Sequence, residues 1–105
     1  MRMWNVNARK MCRNHLLGEH VECHMFFSNI KNKKNISGYL KNGLIETHNL
    51  KKRHNILSKE LLRRGYKHKS PIAFFKAKKQ GKISKNKNLA ELRKRCKNCR
   101  KLMRN

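Results

Sequence analysis

Twenty-nine Lys and Arg side chains stand against five acids, all of them Glu, and the net charge of +24 is the property any fold of this chain has to accommodate. A folded body of 105 residues with that charge repels itself strongly unless a polyanion screens it. The basic residues are spread along the whole length, which favours a phosphate backbone over an acidic membrane, where one amphipathic segment or a short tail is the usual carrier. The apolar content of 37% fills one modest core, so a single domain over residues 1–105 is expected. No apolar run approaches the ~20 residues of a membrane span, and the Met-Arg-Met-Trp start lacks a signal-peptide pattern. The expected location is the cytoplasm, at a nucleoid in a bacterium or in the host cytoplasm for a phage product.

The pattern predicts an all-α fold, a compact bundle of about three helices with irregular connectors. The first helix is expected from the N-cap Asn7 to about Ile30, with Cys12, Leu16, Cys23, Phe26 or Phe27 and Ile30 at helical spacing. Ile36 to Thr47 reads as a connector, in which Lys41-Asn42-Gly43 permits a short hairpin. A second helix is expected from about Asn49 to Arg64, closed by Gly65 in the left-handed conformation. Pro71 to Phe75 is an apolar patch expected to fold back on the core. Lys76 to Asn88 reads as a mobile basic linker before a last helix carrying Leu89, Leu92, Cys96, Cys99 and Met103.

Two of the five acids, Glu19 and Glu22, lie three apart on the first helix, and His15 lies four before Glu19, so all three project from roughly one side. For an arbitrary Glu pair the bland reading is a set of partners for nearby cations. The surrounding residues point further. The run NHLLGEHVE, Asn14 to Glu22, resembles the QHLMAEYRE stretch of the phage endonuclease V family, pyrimidine-dimer DNA glycosylases with apurinic-site lyase activity. In the second helix LKKRHNILSKELLRRGY, Leu50 to Tyr66, is similar to that family's LRKRQIELIAECLKRGF at the same relative position. Met1 then falls where the family's catalytic N-terminal residue lies, and Arg2 matches a following Arg.

The resemblance implies a fold and a mechanism. The α-amine of Met1 is the implied nucleophile, since a terminal amine titrates far below Lys and is partly unprotonated at neutral pH. Glu22, at the place of the family's catalytic Glu, is expected to stabilise positive charge at the sugar and assist proton transfer. The partner is damaged double-stranded DNA, bound by a monomer without a membrane. Neither a metal nor another cofactor is required. For the amine to reach Glu22, Met1 to Val6 has to fold back along about ten residues of helix, or roughly 15 Å, with Met3 and Trp4 as apolar anchors. Arg2, His15, Glu19 and His54 are expected to line the site of a flipped nucleotide. Lys51, Lys52, Arg53, Arg63, Lys94 and Arg95 are expected phosphate contacts.

Three departures from the family bear on substrate. Arg2 is too bulky to allow removal of the initiator Met, so Met itself carries the amine, and a formyl group or upstream extension would abolish the chemistry. Val21 and Met25 replace arginines that flank the catalytic Glu, and the family's aromatic C-terminal tail has no counterpart. Cyclobutane pyrimidine dimers are the expected lesion, with a broader range or abasic-site incision equally compatible. The four cysteines are expected as small packing residues; Cys12 and Cys23, about 16 Å apart along one helix, cannot share a metal. A mixed site joining Cys96 and Cys99 to His20, Cys23 or His24 stays open. A non-enzymatic basic DNA- or RNA-binding protein, associated with a nucleoid or ribosome, is the alternative that charge alone supports.

Overall fold

A computed structural model describes residues 1–67, 71 and 77–103, and these are all-helical, with no strand among the described residues. Asn7 caps a helix as expected, accepting the Arg9 amide at 3.0 Å, but that helix is a single 3-10 turn, Ala8–Lys10. Met11 is extended and Cys12 becomes the N-cap of a separate α1, Arg13–Lys31. The break has a tertiary cause. Met11 is fully buried with its sulfur against the Arg53 guanidinium, and the Cys12 amide donates to Cys99 Sγ at 3.1 Å. Two contacts distant in sequence thus override local helix propensity. Gly18 lies inside α1 at a point where an added Cβ would meet nothing within 4 Å.

The buried residues of α1, Leu16, Glu19, His20, Cys23 and Phe26, keep helical spacing and pack on α3, Leu50–Arg63. From α3 come Leu50, Leu57 and Leu61, each at most 1% exposed and each contributing on the order of 2 kcal/mol by burial. Helix α3 ends as its sequence predicts. Gly65 takes φ +91°, the Gly65 amide donates to Leu62 O, and the Tyr66 amide donates to Leu61 O, which together satisfy the orphan carbonyls of the last turn.

Between these helices the connector forms a short α2, Ser37–Lys41, and a 3-10 turn, Thr47–Asn49. The Lys41-Asn42-Gly43 sequence does not make a hairpin. Gly43 at φ +66° closes α2 by the same pair of amide bonds, Gly43 to Leu40 O and Leu44 to Tyr39 O.

The expected mobile linker is instead pinned over its described part. The Thr47 amide donates to Gln80 O at 3.0 Å, the Gln80 amide donates back to Thr47 Oγ1 at 3.1 Å, and the Ile83 amide donates to Glu46 Oε2 at 2.7 Å. Gly81, at φ +89°, passes so close to the connector that a Cβ there would lie 2.1 Å from Ile45 O. Lys-rich composition hides these ties because the backbone makes them. Ser84 then caps α4, Lys85–Arg95, so the helix starts before Leu89. It breaks at Cys96 into a separate α5, Lys97–Leu102, and Arg100 closes the break by donating to Arg93 O and Lys94 O. Of the apolar patch, Ile72 to Phe75 lie outside the described residues.

Candidate active site

Residues 1–6 run antiparallel to α1, as the distance argument requires. The Arg2 amide donates to Glu22 Oε2 at 3.3 Å and the Asn5 amide to Glu19 Oε2 at 3.4 Å. Met3 is fully buried and Trp4 is 6% exposed, so both are the expected anchors. The segment is held from two further sides. Its Met3 amide donates to Leu44 O at 2.7 Å, and Asn88 on α4 donates from Nδ2 to Trp4 O at 2.8 Å and Met3 O at 3.4 Å. The Met1 α-amine lies one residue before the amide that touches Glu22, which holds it within roughly 7 Å of that carboxylate.

The five acids divide by use. Glu19 is paired with Arg53, Glu60 with Arg63 and Arg64, and Glu91 with Arg2 and Arg95. Glu46, 8% exposed, accepts the Ile83 amide and the Asn49 side chain. Glu22 is half-buried, accepts a backbone amide, and forms no ion pair among the described residues. Glu46 and Glu22 are thus the two acids without an ion pair among the described residues, and Glu22 is the one that accepts the amide following Met1.

Several expected site residues lie elsewhere. Glu19 and Arg53 are 1% and 3% exposed, joined by Nε–Oε2 at 2.6 Å and Nη2–Oε1 at 2.8 Å, with Arg53 Nη1 donating to Val6 O at 2.7 Å. Arg53 is therefore a buried tie for the N-terminal segment, with its donors turned from solvent to protein acceptors, and Glu19 is its counter-ion. His54 is 1% exposed and faces His24, Nε2 to Nε2 at 3.1 Å, with the His20 ring tilted against it at a centroid distance of 4.6 Å. It is a core residue of the α1–α3 interface.

Arg2 is close to the site by its backbone, whereas its guanidinium lies over the Trp4 ring at 3.8 Å and donates to Asn88 Oδ1 at 2.6 Å and Glu91 Oε2 at 3.1 Å. His15 meets the Trp4 ring edge-on, and burial holds its imidazole below the ordinary range against the opposing pull of Glu22 and Glu19. Lys52, Arg63, Lys94 and Arg95 are exposed and Lys51 is half-buried, positions compatible with phosphate contact.

The sequence reading missed Asn88 and Glu91, which reach back from α4 to hold Arg2. It also missed a groove of about 640 Å³ between the 3-10 turn, α3 and the start of α4, with Arg9, Lys10, Lys59 and Lys85 on its walls. That groove does not include Met1 or Glu22. Cys96 and Cys99 meet neither His20 nor His24, and Cys23 fills the core with burial pushing its thiol up; the mixed cluster left open by the sequence does not form. The pair faces Cys12 and His15 instead, whose own three-residue spacing repeats that of Cys96 and Cys99 and was available as a signal.

A family model for pyrimidine dimer DNA glycosylases matches residues 1–74, which include the N-terminal segment, α1 and α3 and stop short of α4. Searches of curated proteins and of solved structures return no match. With most of its length matched, the chain belongs to the pyrimidine dimer DNA glycosylase family.

Proposed function

We propose that this protein excises pyrimidine dimers from double-stranded DNA and then incises the strand, through a Schiff base on the Met1 α-amine. The amine lone pair attacks C1′ of the damaged nucleotide, the glycosidic C–N bond breaks, and the base leaves with a proton. Opening of the sugar ring gives a protonated imine between Met1 and C1′. Loss of a proton from C2′ then expels the 3′ phosphate by β-elimination. Glu22 stabilises the positive charge at C1′ in the first step and accepts or relays the protons in the later ones.

The observation that carries this reading is the placement of the Glu22 carboxylate against the amide that follows Met1, without an ion pair to neutralise it among the described residues. Amine and carboxylate are thereby close enough to address one deoxyribose. The family match supports the glycosylase step and the dimer substrate. The net charge of +24 supports duplex binding, with Lys51, Lys52, Arg63, Lys94 and Arg95 as phosphate contacts and the protein acting as a monomer. Arg2 borders the site of the flipped nucleotide through its backbone.

The test is incision of a duplex carrying one thymine dimer, compared with the same duplex undamaged. The expected result is lesion-dependent cleavage that falls at least ~100-fold in Glu22→Gln, the usual range for loss of an electrostatic or acid–base group. Undiminished cleavage by Glu22→Gln, or binding indifferent to the lesion without cleavage, overturns it.

A further inference from the structure

A second cluster stands where α1 begins and where α4 breaks into α5. Cys12 Sγ lies 3.2 Å from His15 Nδ1 and 3.8 Å from Cys96 Sγ, and Cys99 Sγ lies 3.5 Å from His15 Nδ1. One ligand atom from each of the four falls within 4.8 Å of all the others. Tetrahedral zinc, with Zn–S about 2.3 Å and Zn–N about 2.0–2.1 Å, holds sulfurs about 3.8 Å apart and a sulfur about 3.6 Å from a nitrogen. The cluster is already near that shape.

We propose that Cys12, His15, Cys96 and Cys99 form a structural zinc site that clamps the α4–α5 arm onto the amino end of α1. Four protein ligands close the coordination sphere, as structural zinc requires, and leave no position for substrate. The backbone is arranged around sulfur as an acceptor: the Cys12 amide donates to Cys99 Sγ at 3.1 Å and the Cys99 amide to Cys96 Sγ at 3.4 Å. Such N–H···S bonds orient thiolates in the shell behind the ligands. Three thiolates and one Zn²⁺ carry a net charge of −1, which a chain of charge +24 accommodates. Binding releases the thiol protons to solvent, up to three per ion.

The site also accounts for two breaks that helix propensity does not: Cys12 and Cys96 are both extended, N-capping residues at the points where the helices are interrupted. It would fasten the part of the chain beyond the matched residues 1–74. That arm carries Asn88 and Glu91, the residues holding the N-terminal segment, so the clamp steadies the segment that bears Met1. The His20, His24 and His54 trio is a second compact group, but it offers three ligands where a structural site closes with four.

The inference is independent of the reaction proposed for Met1 and is tested on metal content. Full-length protein purified under reductant is assayed for zinc, stripped with a chelator and titrated with Co²⁺. The expected results are about one zinc per chain and one equivalent of Co²⁺ with thiolate charge-transfer and tetrahedral d–d bands. Cys96→Ser/Cys99→Ser loses the metal and the bands, whereas Cys23→Ser keeps both. His15→Cys keeps one equivalent but shifts the spectrum to that of a four-thiolate site, which serves if the double variant does not fold. Zinc-free reduced protein without cobalt–thiolate bands, a Cys12–Cys96 disulfide in place of metal, or bands that survive Cys96→Ser/Cys99→Ser each overturns it.

Discussion

Replacing Arg53 with Met separates a buried structural tie from a surface phosphate contact. In the fold, Arg53 donates to both oxygens of Glu19 and to Val6 O, and both charged side chains are nearly excluded from solvent. Removing the guanidinium strands a carboxylate at 1% exposure, and breaking such a buried pair costs about 3–5 kcal/mol. For a domain with ~5–15 kcal/mol of stability this is a large fraction, and with a urea slope of ~1.5 kcal/mol/M the midpoint falls by roughly 2–3 M. The double variant Arg53→Met/Glu19→Leu removes both charges and recovers most of the loss, since a buried pair replaced by apolar groups of similar volume is often near neutral. Urea unfolding followed by circular dichroism reads all three proteins. Arg53 is a phosphate contact and not a buried tie if Arg53→Met unfolds within about 1 kcal/mol of wild type while duplex affinity and its salt slope drop by about one phosphate contact.

Other consequences follow from single contacts. Gly81→Ala places a Cβ against Ile45 O at a backbone angle disfavoured for L residues, and thermal unfolding should show a loss of roughly 2 kcal/mol or more; a neutral change means this segment is not held against the connector. Hydrogen bonds from Arg63 hold the Glu60 carboxyl down at about 2, against burial and with help from Arg64, while its ordinary value is 4.5. Because the folded value is the lower one, the stabilisation is complete above pH 4.5 and is lost as pH falls towards 2. It amounts to at most about 3 kcal/mol, less screening at the half-exposed Arg63, and Glu60→Gln should flatten that limb of the stability profile. Asn88→Ala removes the donor to the Met3 and Trp4 carbonyls and one of the acceptors of Arg2, so single-turnover incision should slow about 10-fold or more with duplex Kd little changed. An unaltered rate would mean that α4 does not position the amine.

Helix identity was legible wherever apolar spacing and a terminating residue agreed, as in α3 with Leu50, Leu57, Leu61 and Gly65. The return of residues 1–6 along α1 was legible only through the family resemblance, which asks the amine to reach Glu22; Met3 and Trp4 then serve as its buried anchors. What failed was the assumption that charge marks the surface. Arg53 sits in a basic run and is buried, because its partner Glu19 lies thirty-four residues away and pairing is not encoded in local pattern. The Lys-rich stretch before α4 failed for a related reason: Glu46, Thr47 and the tight passage at Gly81 hold its backbone, and side-chain composition is silent on that. The helix breaks at Met11 and Cys96 likewise come from contacts between the two ends of the chain. The cysteine pair was seen, but its partners were sought on the wrong turns of α1.

The proposed nucleophile is the Met1 α-amine, beside Glu22. Borohydride reduction during turnover of a dimer-containing or abasic duplex, followed by digestion and mass analysis, locates the trapped sugar directly. The expected product is a stoichiometric adduct on the Met1 α-amine, abolished when that amine is acetylated beforehand. An adduct on an internal lysine, or no adduct from active protein with a free amino terminus, contradicts it.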